Sequence, residues 1–220
     1  MVPLCAAKYN LSDETRVVAG VSDGCASFLA TGANRVGECV TALGSTLTMK
    51  MLCDKPLFNP EYGVYSHRIG DRWLAGGASN TGGNVLAHYF SGEEIKNLSS
   101  LINTNTAAPC EYYPLVSSGE RFPHNDANWA PVVTPRPKND SDFLHCLFSG
   151  MANIEALGYR RLAELGAPDM VSMRSVGGGS VNSQWTAIRQ HALPVPFHQS
   201  VSTEAAVGVA LLARESLSSY

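Results

Sequence analysis

Three short stretches set glycine among small hydroxyl- or amide-bearing residues where one element gives way to the next. They are Gly44-Ser45-Thr46, the run from Gly76 and Gly77 through Ser79-Asn80-Thr81 to Gly82-Gly83, and Gly177-Gly178-Gly179-Ser180-Val181-Asn182. Glycine has no Cβ, so backbone N–H groups can come right up to a ligand. Where such a stretch opens a helix, unpaired amides and the positive dipole end are added. Both features favour phosphate oxygens. The same glycines also serve turns that need positive φ, so one stretch alone decides nothing. Three in a short chain point toward a nucleotide. Neither a G-x-x-x-x-G-K-[ST] loop nor a G-x-G-x-x-G at the first strand–helix turn is present. Asp23 is the other candidate. It follows an apolar run and precedes an apolar helix, so it is either that helix's N-cap or a carboxylate displayed where α/β crevices open.

The elements that must position these residues follow from periodicity. Arg16–Val21 reads as a buried strand, broken by Ser22-Asp23-Gly24, and Cys25–Thr31 as a short helix ended by Gly32. Glu38–Leu43 and Thr46–Leu52 read as strands hinged at Gly44-Ser45. Gly63–Ile69 and Arg72–Gly76 form a hairpin on the Gly70-Asp71 pair. Helices are expected from Asn80 to Phe90 and from Glu93 to Leu101. Between Thr106 and Asp140 six prolines exclude regular elements, which predicts a long ordered excursion pinned by Tyr112, Tyr113, Phe122 and Trp129. Within it, Arg121 and Glu120 read as a loop-anchoring ion pair. Asp142–Leu165 is a helix with one apolar face at three-to-four spacing. Val171–Val176, a glycine turn, and a helix over Asn182–His191 come next. Val195–Phe197 is a short strand, and a helix over Ala205–Arg214 is capped by Ser202-Thr203-Glu204. This order specifies an α/β domain with a mixed sheet. The antiparallel hairpins argue against a doubly wound dinucleotide-binding fold, and with it against an oxidoreductase.

Composition agrees. The chain has 220 residues, 45% hydrophobic and 16% charged, with a formal net charge of −3. That excludes a disordered chain and argues against a nucleic-acid-binding or polybasic membrane protein. The longest apolar run, Ala205–Ala213, falls far short of the roughly 20 residues that cross a bilayer. The six cysteines form no C-x-x-C pair, so free and mostly buried thiols are expected, with a cytoplasmic location. No signal peptide is visible at the N-terminus. The six histidines are scattered, and no metal-ligand set is assigned.

The stretches RVVAGVSDGCASFLATGA, ALGSTLTMK, LAGGASNTGGNVL, GERFP, RSVGGGSVNSQW and TEAAVGVALLA resemble, in that order, the FGGY carbohydrate kinases. GERFP, Gly119–Pro123, points to the D-ribulokinase and xylulose-kinase-like branch. The resemblance implies an RNase-H-like domain of the actin-like ATPase fold, the C-terminal lobe of a two-lobed sugar kinase. It implies that Asp23 is the general base on the sugar hydroxyl and that Gly44, Ser45 and Thr46 meet the β- and γ-phosphates, Ser45 standing where the family has Thr. It further implies that Gly77 lies in a loop near the nucleotide, that Gly177, Gly178, Gly179 and Asn182 lie by the adenosine, and that Trp185 flanks the base. The implied cofactors are ATP and Mg²⁺.

The family has a further N-terminal lobe with its own phosphate loop and most sugar contacts. By this resemblance residues 1–36 are the tail of that lobe, carrying Asp23, and residues 37–220 are the C-terminal nucleotide-binding domain. Little kinase activity is then expected from this chain alone. A separate N-terminal half is one expected partner and self-association another, with a sugar and ATP as small-molecule ligands and neither nucleic acid nor membrane. A plastid location would require a leader upstream. The competing expectation is a non-catalytic nucleotide-binding or interaction module.

Overall fold

The computed structural model describes residues 3–12 and 14–218, with nothing said of the side chains of 3–5, 217 and 218. Five strands form one mixed sheet in the order β3-β4-β2-β1-β5. They are β1 (Glu38–Leu43), β2 (Leu47–Cys53), β3 (Tyr65–Ile69), β4 (Arg72–Ser79) and β5 (Ser172–Val176). β5 runs parallel to β1, and every other neighbour is antiparallel. The expected hairpins and mixed sheet are therefore present.

Alternation sorts the side chains onto two faces. Cys39, Leu43, Leu47, Met49 and Met51 join one core cluster. Val40 and Leu52 join the other, with Leu74 and Val176. The first face is covered by α5 (Asp140–Glu164) with α3 (Gly83–Tyr89), α4 (Gly92–Ser99) and α6 (Ser183–Ala192). Phe143, Leu144, Leu147, Phe148 and Met151 of α5 are at most 1% exposed. Each contributes roughly 2 kcal/mol of gross burial. The second face is covered by α2 (Asp23–Ala30), on which α7 (Ala205–Ser218) packs. Gly208 lets α7 close onto the Ala26–Ala30 backbone. A terminal helix α1 (Pro3–Lys8) precedes them.

Arg16–Val21 is not the buried strand that its sequence predicts. It has no regular secondary structure, joins no strand of the sheet among the described residues, and leaves Val17 76% exposed. A β-branched apolar run specifies a strand only where a neighbour accepts its hydrogen bonds. The expected free thiols are borne out for Cys25, Cys39, Cys53, Cys110 and Cys146, all buried but Cys110. Cys5 lies outside the described side chains. No helix among the described residues is long and apolar enough to cross a membrane.

Glu38 fastens the start of β1. Its buried carboxylate accepts from the Asn34 and Arg35 amides at 2.7 and 2.9 Å and from Arg174 Nη1 at 3.0 Å. Burial works against its charge, but the Arg35 and Asn34 amides and the Arg174 guanidinium outweigh it, and its pKa falls to about 2. A lowered folded-state pKa gives stability that is present above the unfolded value near 4.3 and is lost as pH falls toward 2. The size is about 3 kcal/mol for a carboxyl group this buried. Glu38→Gln is expected to remove most of that stability at pH 7 and to flatten its decline between pH ~4.5 and ~2. Urea melts at several pH values check both. A mutant that keeps the wild-type pH profile contradicts the assignment.

Candidate nucleotide groove and acceptor cavity

The strand register brings the glycine turns together. Leu43 pairs with Leu47, Leu47 with Ser79, and Ala42 with Val176. The Gly44–Thr46 turn, the loop after β4 and the loop after β5 therefore leave the sheet at one edge. Backbone contacts lock them: the Gly83 amide donates to Gly44 O at 2.8 Å, and the Asn84 amide to Ser45 O at 3.0 Å. Gly177 has φ of +84°, and a Cβ there would lie 2.8 Å from Leu43 O. Only glycine permits this approach.

Two cavities flank that edge. The larger, about 940 Å³, lies on the α5 side and is lined by Gly44, Ser45, Gly83, Phe148, Gly178 and Asn182 among others. A Cβ on Gly178 would meet nothing within 4 Å, so a side chain added there projects into open space. Trp185 is 2% exposed and stacks on Phe148 with ring centroids 5.1 Å apart and planes at 7°. It lies in the floor of the groove. Its indole Nε1 has no hydrogen-bond partner. Asn182 caps α6, its Oδ1 accepting from the Trp185 amide at 2.9 Å, while its Nδ2 donates to Ser99 Oγ at 2.8 Å.

The smaller cavity, about 480 Å³, lies on the opposite sheet face beneath α2. Asp23, Thr48, Lys50, Tyr65 and His67 line it, with Ala42 and Val176 beside the glycine turns. Ser22, not Asp23, is the N-cap of α2. Asp23 is the first helical residue, exposed, with Oδ1 accepting from the Gly24 amide at 2.7 Å.

Two sequence expectations need correction. Gly77 does not line the groove. It sits inside β4, where a Cβ would come within 2.5 Å of the Phe122 ring, so its role is to admit that ring to the core. The members of its loop that reach the turn are Gly82 and Gly83. Likewise Glu120 forms no ion pair with Arg121. Its buried carboxylate accepts from Ser79 Oγ and the Asn80 amide at 2.6 Å, and from Tyr113 Oη and the Arg121 amide at 2.9 Å. The Arg121 guanidinium bonds Asn80 Oδ1 instead, at 2.6 Å. The excursion thus fastens the strand end that feeds the glycine loop. Burial and the Glu120 carboxylate push the Tyr113 phenol up, so it stays a donor.

Sequence reading also passes over Glu155 and Arg189. Both are 0% exposed and joined by a two-pronged pair at 2.6 and 2.7 Å, with Arg189 Nη1 donating to Ser175 Oγ at 2.7 Å. The pair ties α5, α6 and β5 together behind the groove. Among the described residues no three His, Cys, Asp or Glu side chains converge as a metal site.

No protein-family model matches the chain. Gluconokinase of Bacillus subtilis (strain 168) is 30% identical over 103 residues, which are 45% of this chain and 20% of that protein. A xyloylose kinase from Brucella ovis superposes with a TM-score of 0.84 at 23% identity, over 99% of this chain and 47% of its own. In sequence the chain is similar to part of a gluconokinase, and its fold is shared with about half of a sugar kinase. The ligand-bound xylulose kinase from Lactobacillus acidophilus gives a TM-score of 0.81 at 17% identity, over 100% of this chain and 46% of that one. The chain spans about half the length of these solved kinase structures. The actin-like ATPase fold anticipated from the FGGY resemblance is the fold observed.

Proposed function

We infer that the chain is the nucleotide-binding half of a carbohydrate kinase, which moves the γ-phosphoryl group of ATP to a hydroxyl of a ketose such as D-ribulose or D-xylulose when a second lobe closes the cleft. The observation that carries this reading is the convergence of three glycine turns at one sheet edge, between a groove on one face and a carboxylate-bearing cavity on the other. In this reading residues 1–36 belong to the tail of the N-terminal lobe and residues 37–220 form the nucleotide-binding domain. α2 is nevertheless firmly seated here, because Phe28 is buried against Val40 and Leu52.

The roles follow from position. Gly178 leaves room for the adenosine, and Gly179 admits the Trp185 ring, which with Phe148 forms the floor. Asn182, as the cap of α6, holds that floor in place. Gly177 brings its loop against the Gly44–Thr46 turn, where the Ser45 hydroxyl and nearby amides suit the terminal phosphates. The phosphate tail would run from the groove across the turn to the Asp23 side. There the sugar oxygen attacks the γ-phosphorus and the bond to the β–γ bridging oxygen breaks. The hydroxyl proton passes to Asp23, and ADP leaves. Mg²⁺, carried on the phosphates, would neutralise charge that the donors of this half do not. Exclusion of water requires the second lobe.

Supplying the N-terminal half of a xylulose kinase in trans, with ATP, Mg²⁺ and a panel of ketoses, tests the reading. Sugar phosphate formed only by the mixture is the expected outcome. A folded complex of the two halves that makes none contradicts it.

A further inference from the structure

Lys50 has no place in the scheme above, yet it is the most unusual side chain facing the smaller cavity. It lies at the centre of β2, 5% exposed, and points to the α2 side of the sheet. Its Nζ has no hydrogen-bond partner, and no carboxylate among the described residues lies within ion-pair reach. The Tyr65 ring, 4.6 Å from Nζ, offers only its face. A buried, unbonded ammonium is costly unless something completes its shell. Burial lowers its pKa, as it does for neighbouring His67, where Lys50 itself adds to the lowering. Around it stand Ser22, Ser27 and Thr48, all hydroxyl-bearing, and the N-terminal end of α2 with its positive dipole.

We propose that the cavity beneath α2 is a phosphomonoester site, in which Lys50 Nζ takes the phosphoryl oxygens and the flanking hydroxyls take the sugar. The choice of a phosphoryl group over another anion rests on the nucleotide reading of the groove. Ala42, Thr48 and Val176 line this cavity and flank the turns assigned to the terminal phosphates, so the anion delivered here is the transferred group. Asp23 lines the same cavity at the exposed start of α2, so the anion must seat on the Lys50 side of it.

Calorimetric titration of the 220-residue chain decides the matter, with D-xylulose 5-phosphate, D-xylulose, inorganic phosphate and ATP as separate ligands. The ester is expected to bind at least about tenfold more tightly than D-xylulose or inorganic phosphate. Lys50→Met is expected to lose about tenfold or more of that affinity while keeping its ATP affinity, with a melting temperature equal to or above wild type because an unpaired buried charge is gone. If Lys50→Met does not fold, Lys50→Gln carries the same test. Ester affinity unchanged in the folded variant overturns the proposal. So does an ester that binds no better than inorganic phosphate. Failure of ATP to bind the wild type would instead overturn the nucleotide reading, and the ester titration would still decide whether Lys50 holds an anion.

Discussion

Arg189→Met lowers the stability of the chain by roughly 3–5 kcal/mol, the largest loss expected from any single side chain outside the apolar core. The Glu155–Arg189 pair is fully buried, and removing one partner leaves the other as an uncompensated charge. Ser175 Oγ loses its donor as well. Because the pair joins α5 to α6, the damage reaches the groove: Trp185 stacks from α6 onto Phe148 of α5. Replacing both partners by apolar residues, Glu155→Leu with Arg189→Met, restores most of the stability, since no charge is then buried alone. Chemical denaturation of the two single variants and the double variant reads this out. Additive losses in the double variant would show that the two side chains act independently.

Asp23→Asn reduces sugar phosphorylation by the assembled halves about 10²- to 10⁴-fold, the range for loss of a general base. The substitution is nearly isosteric, and the amide oxygen can still accept from the Gly24 amide, so α2 keeps its start. ATP affinity should remain within about twofold, because Asp23 opens into the cavity beneath α2 and not into the groove. A variant that retains full turnover removes Asp23 from the proposed chemistry. A variant that loses ATP affinity instead would place the carboxylate on the nucleotide side.

Much of this arrangement is legible in the residues themselves. Gly70-Asp71 and Gly44-Ser45 mark their turns, and the alternation of Leu47, Met49 and Met51 with Thr48 and Lys50 marks a strand with one apolar face. What is not legible is set by long-range neighbours. Lys50 sits at a position where a strand ordinarily shows a polar residue to water, and it is buried beneath α2 with Tyr65 and His67 beside it. Glu155 interrupts the apolar pattern of α5, but its partner lies 34 positions further along the chain. Gly77 shares a glycine-rich run with Gly82 and Gly83, and only the seat of Phe122 separates the packing glycine from the loop glycines. Val17–Val21 has the composition of a strand, yet no strand among the described residues lies beside it in the sheet. Local pattern fixes where turns fall, whereas partnership decides which of them meet and which polar groups are buried.

In the proposed function the groove holds a nucleotide against the turns. Titration of ATP with Mg²⁺ into the wild-type chain and into Gly178→Trp tests this most directly. The new indole would enter open space without displacing the fold, because nothing lies within 4 Å of the Cβ position. Saturable binding by the wild type, weakened at least about tenfold in a variant with an unchanged melting temperature, is the predicted result. Equal affinity of the two proteins for ATP, or no binding by the correctly folded wild type, would contradict it.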